Sequence, residues 1–172
     1  MRNNGLKVHL VIIDPQNDFM DQPNATLPVP GAMDDMKRLA AFIRANIHRL
    51  KDIHVTLDSH HAIDIGFATW WMDRKGNMPA PYTLITPDDI EKKIWTTRNP
   101  KVYQRTLKYA RDLEKNKKYL PFVWPPHCKI ATWGANIEAG LMSALEEWQI
   151  KRHANLDTVT KGANPYTEHY GA

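Results

Sequence analysis

Four groups of residues in this chain carry side chains able to do chemistry: Asp14, the run Asp58-Ser59-His60, His127 and Lys161. Asp14 ends a run of β-formers and is followed by Pro15, which cannot donate to a ladder, so the carboxylate belongs at a strand's carboxyl end, where open α/β sheets carry their ligand crevices. A catalytic acid fits there; so does a cap of the following turn. In Asp58-Ser59-His60 the acid and imidazole are two positions apart at a second strand end, so strand alternation points both to one side. Together they suit Zn²⁺, Fe²⁺ or Mn²⁺, and His127, in the proline-stiffened loop Trp124-Pro125-Pro126-His127-Cys128, is a candidate third ligand. Three protein ligands with open positions describe a catalytic rather than a structural site. D-x-H also arises wherever a polar strand end meets a loop, and His61, facing the other way, reads as a surface or packing residue. Lys161 ends a third apparent strand and, brought beside Asp14, could hold or shuttle a proton; the plainer reading is a solvated lysine in a turn closed by Gly162.

The elements that must position these groups follow from periodicity. Val8, Leu10, Val11, Ile12 and Ile13 form an almost unbroken apolar run, read as the central strand of a parallel sheet covered on both faces. Met20 to Gly31, with three prolines, reads as a loop. Met33, Met36, Leu39, Ala40, Ile43 and Ile47 recur at helical spacing, and Ile53 to Leu57 reads as the next strand. Strand, helix and strand make a βαβ unit with a right-handed crossover. Ala62 to Tyr82 lacks a clean period. Thr86-Pro87 opens a short helix to about Lys93, and Asn99-Pro100 a longer one over about Lys101 to Lys115. Phe122 and Val123 suggest a brief strand, Ile137 to Trp148 another helix, and Asn155 to Thr160 a weak third strand.

Composition bounds the class. The chain has 172 residues, 42% hydrophobic and 24% charged, as in a soluble globular domain. The net charge of +4 is spread along the chain, which favours a solvated face over a nucleic-acid groove. One cysteine, Cys128, rules out an internal disulfide and fits a reducing compartment. The N-terminal apolar run is too short for a signal or membrane span, so a cytoplasmic location without nucleic-acid or membrane partners is expected.

The motifs together resemble the nicotinamidase branch of the isochorismatase-like cysteine hydrolases. That family's D-x-Q-N-D-F motif is matched by Asp14-Pro15-Gln16-Asn17-Asp18-Phe19, its metal motif D-x-H by Asp58-Ser59-His60, and its W-P-x-H-C motif by Trp124 to Cys128. Its lysine element, a K-G a little before a tyrosine, is matched by Lys161-Gly162 and Tyr166 or Tyr170. The resemblance implies a Rossmann-like α/β fold, a parallel sheet flanked by helices on both faces. It implies an amidase of NAD salvage that hydrolyses nicotinamide to nicotinate and ammonia through a cysteine nucleophile. Asp14 and Lys161 would be catalytic, Phe19 and Trp124 would line the ring pocket, and Asp58, His60 and His127 would hold a divalent ion, zinc first and iron or manganese as alternatives.

The match also departs from the family. The family's nucleophile lies in a later G-x-x-x-x-x-C element, and no cysteine follows Lys161; Cys128 matches a family cysteine that is not the nucleophile. The expectation is therefore a single domain over 1–172 that is the N-terminal part of a longer one, or that a homo-oligomeric or other completing chain supplies the rest. Val8 to Ile13 would then be a sheet edge. A stretch at about 78–120 reads as an insertion, which leaves room for another small amide or ester as substrate. A second histidine that some relatives carry after D-x-H falls near Gly66 and is unfilled. A metal- or ligand-binding remnant without turnover is the alternative from another class.

Overall fold

The computed structural model describes residues 7–168. In chain order the elements are β1 (Val8–Ile13), α1 (Ala32–Asn46), β2 (Leu50–Asp58), β3 (Trp71–Met72), α2 (Pro87–Glu91), β4 (Thr96–Thr97), α3 (Tyr103–Lys115), α4 (Ala139–Arg152) and β5 (Asp157–Lys161). They form two compact units. One runs up to Asp58 and resumes over Ala131–Lys161; the other holds Ser59–Ile130 and the stretch from Gly162.

The first unit is an α/β layer. Its three strands are parallel in the order β1-β2-β5, with Ile13 opposite Thr56 and Asp58 opposite Lys161. Among the described residues β1 is thus an edge strand. The β1-α1-β2 crossover is the βαβ unit that the apolar periodicity predicts. Helix α1 opens at Gly31, whose φ of 83° needs no Cβ, and Asp21 closes its first turn by accepting from the amides of Gly31 and Met33, each at 2.8 Å. Those amides, Met33 first, hold the Asp21 carboxyl below the usual carboxylate range. At α4 the carboxylate of Glu138 caps the amides of Gly140 and Leu141. Helices α1 and α4 pack on each other and share one core with the sheet, built from Ile12, Met36, Ala40, Ile43, Ile53, Val55, Leu141, Leu145 and Trp148. The alternate residues Val11 and Ile13 stay 61% and 71% exposed. In β1 the apolar run hides an alternation that burial reveals.

The second unit gathers Ile65, Trp70, Trp71, Ile85, Ile90, Leu107, Ala110 and Val123 into its own core. The stretch around 78–120 supplies α2, β4 and α3 to it. Thr86 and Asp89 form a reciprocal capping box at α2, with Pro87 at the first helical position. Asn99-Pro100 opens a 3₁₀ turn, Pro100–Val102, that leads into α3, so the predicted helix start is tighter than an α turn. The antiparallel pair β3-β4, two residues each, carries no sequence period long enough to announce it. Phe122 makes a single antiparallel bridge to Leu84 in place of the brief strand expected there. No helix among the described residues is long and apolar enough to cross a membrane.

Candidate active site

At the carboxyl ends of the three parallel strands the first unit brings Asp14, Asp58 and Lys161 together. Register does most of this: Asp58 and Lys161 are paired residues of adjacent strands, so their side chains leave the sheet on one face. Asp14, just past β1, has a left-handed φ of 49°, which a non-glycine residue adopts only when its surroundings impose it. Thr56 imposes it here. The Asp14 amide donates to the Thr56 carbonyl and hydroxyl, each at 3.1 Å, and the Thr56 hydroxyl donates to Asp14 Oδ1 at 2.6 Å. The carboxylate is therefore committed to Thr56 and, through Oδ2 at 2.9 Å, to the Lys161 ammonium; it is not a turn cap. Lys161 also donates to Asp58 Oδ1.

The Lys161 side chain is 7% exposed. Burial pulls its pKa down, but hydrogen bonds and charge from Asp58 and then Asp14 outweigh burial and hold the ammonium above the usual lysine range. At neutral pH it is a fixed positive charge and a donor, not a base.

Gln16, buried in the D-x-Q motif, has a role that motif reading leaves unstated. Its amide group donates to the carbonyl of Asp58 at 2.7 Å and to that of Ala135 at 2.9 Å, and its oxygen accepts from the Asp58 amide at 2.7 Å. It pins the backbone that carries Asp58. Phe19 and Asp14 both line a cavity of about 580 Å³ in this unit, with Ile13, Met20, Val29 and Met36 also in its wall.

His60 and His127 lie in the second unit. The Trp124 to Cys128 loop runs beside His60: the His60 amide donates to the Cys128 carbonyl at 3.1 Å and the Ile130 amide donates to the His60 carbonyl at 3.0 Å. The two imidazoles meet edge to face, centroids 4.9 Å apart, with Phe67 against both. His127 Nδ1 is 2.8 Å from the Pro125 carbonyl, which only accepts, so Nδ1 carries the proton and Nε2 the lone pair. His61 is exposed, as expected. Around the Asp58-Ser59-His60 segment, ligand atoms of Asp58, His60 and His127 all fall within 4.8 Å of one another, and the three residues are buried. One carboxylate and two imidazoles, one of them with its tautomer set by a backbone carbonyl, suit a divalent transition metal with open positions.

Trp124, Cys128 and Tyr166 make further contacts within the second unit. Trp124 packs on Phe122, centroids 4.8 Å apart, and lines a different cavity, of about 430 Å³, with Leu84, Tyr119 and Leu120. Cys128 is fully buried with a left-handed φ of 45°. Tyr166 stacks edge-on against Trp70 beneath the Arg105 guanidinium, and Tyr170 lies outside the described residues. Asp64 is fully buried with Oδ2 3.2 Å from His60 Nδ1. A lone acid four residues after the histidine, in a segment without a period, gave no signal to find it by.

No protein-family model and no curated protein matches this chain. Among solved structures, the chain is similar to the yeast nicotinamidase Pnc1p bound to the inhibitor nicotinaldehyde, with a TM-score of 0.59 and 22% identity, over 94% of this chain and 60% of that one. The Acinetobacter baumanii nicotinamidase pyrazinamidase gives a TM-score of 0.51 and 21% identity, over 91% of this chain and 52% of the other. At such identities the likeness establishes a shared fold. The chain spans between about half and three fifths of the length of these neighbours.

Proposed function

We propose that this chain carries the metal-binding and proton-handling part of a nicotinamidase-like amidohydrolase, which splits the C–N bond of nicotinamide with water to give nicotinate and ammonia. The observation that carries the reading is Lys161, buried between Asp14 and Asp58 at the ends of three parallel strands. A buried ammonium between two carboxylates is costly to assemble for stability alone, and sites of chemistry are where such arrangements concentrate.

In this reading Asp14 is the general base, aimed by Thr56 and Lys161. It takes the proton of a cysteine thiol, whose sulfur adds to the amide carbon; the same proton then leaves with ammonia, and water releases the acid. Lys161 keeps its proton throughout and stabilises the Asp14 carboxylate. Phe19 offers a flat apolar wall in the Asp14 cavity for a planar ring. Asp58, His60 and His127 would hold a divalent ion, zinc first and iron or manganese as alternatives, which when bound supplies a Lewis-acid contact for the ring nitrogen. Cys128 is fully buried, so the thiol is proposed to come from polypeptide other than these 172 residues, in the same protein or in a completing or homo-oligomeric partner. The single cysteine favours a reducing, cytoplasmic setting.

The test is ammonia release from nicotinamide by the product of the whole gene. Activity abolished by Asp14→Ala and by a chelator supports the reading; turnover that survives both refutes it. The burial of Cys128 favours a second outcome for the 172-residue chain alone, metal binding without turnover. Release of ammonia or acid from another small amide or ester, with nicotinamide inert, would keep the machinery and move the substrate.

A further inference from the structure

We infer that Asp64 is the positioning residue that fixes the tautomer of His60 and so makes its Nε2 the metal-binding atom. The inference rests on the metal reading above and adds a residue to it. Both side chains are almost completely buried, at 1% and 2% exposure. Asp64 Oδ2 faces His60 Nδ1 at 3.2 Å, while Oδ1 accepts from the Gly66 amide at 2.9 Å and the Asp64 carbonyl accepts from the Phe67 amide at 3.0 Å. One carboxylate oxygen is thus held by its own turn, whose backbone is pinned beside it, and a carboxylate only accepts. Nδ1 of His60 must then carry the proton, and the lone pair is on Nε2.

The ring has no room to turn away from this arrangement. Phe67 packs on it with centroids 5.1 Å apart, and the backbone of Gly162 lies so close that a Cβ there would sit 3.0 Å from Cε1 and 3.2 Å from Nδ1. Gly162 has a φ of 84°, so both its conformation and its lack of a side chain serve the close approach. The two imidazoles are backed differently. His127 leans on a peptide carbonyl, whereas His60 leans on a buried carboxylate. A cation on Nε2 makes the Nδ1 proton a stronger donor, and that donor in turn offsets the burial of the carboxylate. Asp64 and the ion therefore favour each other through the ring.

An isosteric change separates this role from mere packing. In Asp64→Asn a single oxygen remains for two donors. With that oxygen turned to the Gly66 amide, the NH₂ faces His60 Nδ1 and demands an acceptor there, which moves the ring proton to Nε2. Nitrogen-15 NMR of the His60 ring in the metal-free chain reads the tautomer, and competition with a chromophoric chelator reads zinc affinity. The expected result is an Nδ1–H ring in the parent chain, an Nε2–H ring in Asp64→Asn, and a loss of zinc affinity of about 10- to 100-fold. An unchanged tautomer together with unchanged affinity overturns the inference. Because the tautomer is read without metal, it decides the role of Asp64 even if zinc binds neither protein, an outcome that would remove the metal reading instead.

Discussion

Replacing Lys161 by methionine removes the ammonium that two carboxylates share while keeping most of the side chain's volume. In the parent chain Lys161 Nζ is 2.9 Å from Asp14 Oδ2 and also bonded to Asp58 Oδ1, with the lysine and Asp58 side chains 7% and 9% exposed and Asp14 19%. Breaking a buried pair by deleting one partner costs about 3–5 kcal/mol, chiefly because the other charge is stranded. Here two charges are stranded, but the partial exposure of Asp14 lets water relieve one of them, so a loss of about 3–4 kcal/mol near pH 8 is expected. The pH dependence gives the sharper check. The folded-state pKa of Lys161 is raised above its usual 10.5, so its stabilisation is complete below that value and is lost only as pH rises through the folded pKa. Between about pH 5 and 8 the parent's lysine contribution is therefore constant. In the variant, two carboxylates share a site without a cation, so one takes up a proton at a pH above its unfolded value. The folded variant then binds a proton that the unfolded chain does not, and its stability rises as pH falls. The gap between parent and variant should narrow by about 1 kcal/mol or more from pH 8 to pH 5. Urea unfolding followed by fluorescence of the six tryptophans measures both stabilities. A gap below about 1 kcal/mol at pH 8, or one that widens on acidification, would refute the reasoning.

Gly162→Ala should destabilise the chain by about 1–2 kcal/mol through its left-handed backbone, and the displaced His60 ring should weaken zinc binding as well. Calorimetry with and without zinc reads both effects; full zinc affinity in this variant would contradict the close packing described. Thr86→Ala removes one half of the α2 capping box and should cost about 1 kcal/mol in urea unfolding, with zinc affinity untouched. Val11→Lys, on the exposed side of β1, should change stability by no more than about 0.5 kcal/mol yet reduce light scattering on concentration. Unchanged scattering would mean that this edge is not what associates.

Much of the candidate site was legible because strand ends are legible. A β-run that stops at proline places Asp14, an alternating acid and imidazole place Asp58 and His60, and a K-G pair after a weak strand places Lys161; the parallel register then brings Asp14, Asp58 and Lys161 to the carboxyl ends of their strands without further instruction. The α1, α2 and α4 helices were equally readable, since each has either an apolar period or a capping signal. What escaped were features set by tertiary contact alone. The β3-β4 pair is too short for a period, the alternation of β1 is masked by valine and isoleucine on its exposed side, and the left-handed turn at Asp14 depends on Thr56, distant in sequence. Gln16 reads as part of a motif, but only the fold shows that it holds the backbone of Asp58 from both sides.

Asp58 has two claims on its carboxylate, and this links the stability and function arguments. One oxygen bonds the Lys161 ammonium, and the residue also belongs to the buried ligand group with His60 and His127. A carboxylate can serve both, since its two oxygens offer about four acceptor positions. Each claim alters the other: a cation at the histidines draws charge from Asp58 and so loosens its hold on Lys161, leaving that ammonium more fully to Asp14. Metal binding would then act on the proposed base through Lys161, strengthening the pairing that aims Asp14. Lys161→Met should therefore change more than stability. With the competing ammonium gone, Asp58 has its full charge for the ion, and zinc affinity should rise by about tenfold, worth about 1.4 kcal/mol, even as the fold weakens. Zinc titration of the folded variant below its unfolding midpoint measures this, and a fall in affinity parallel to the loss of stability would mean that Asp58 does not couple the two.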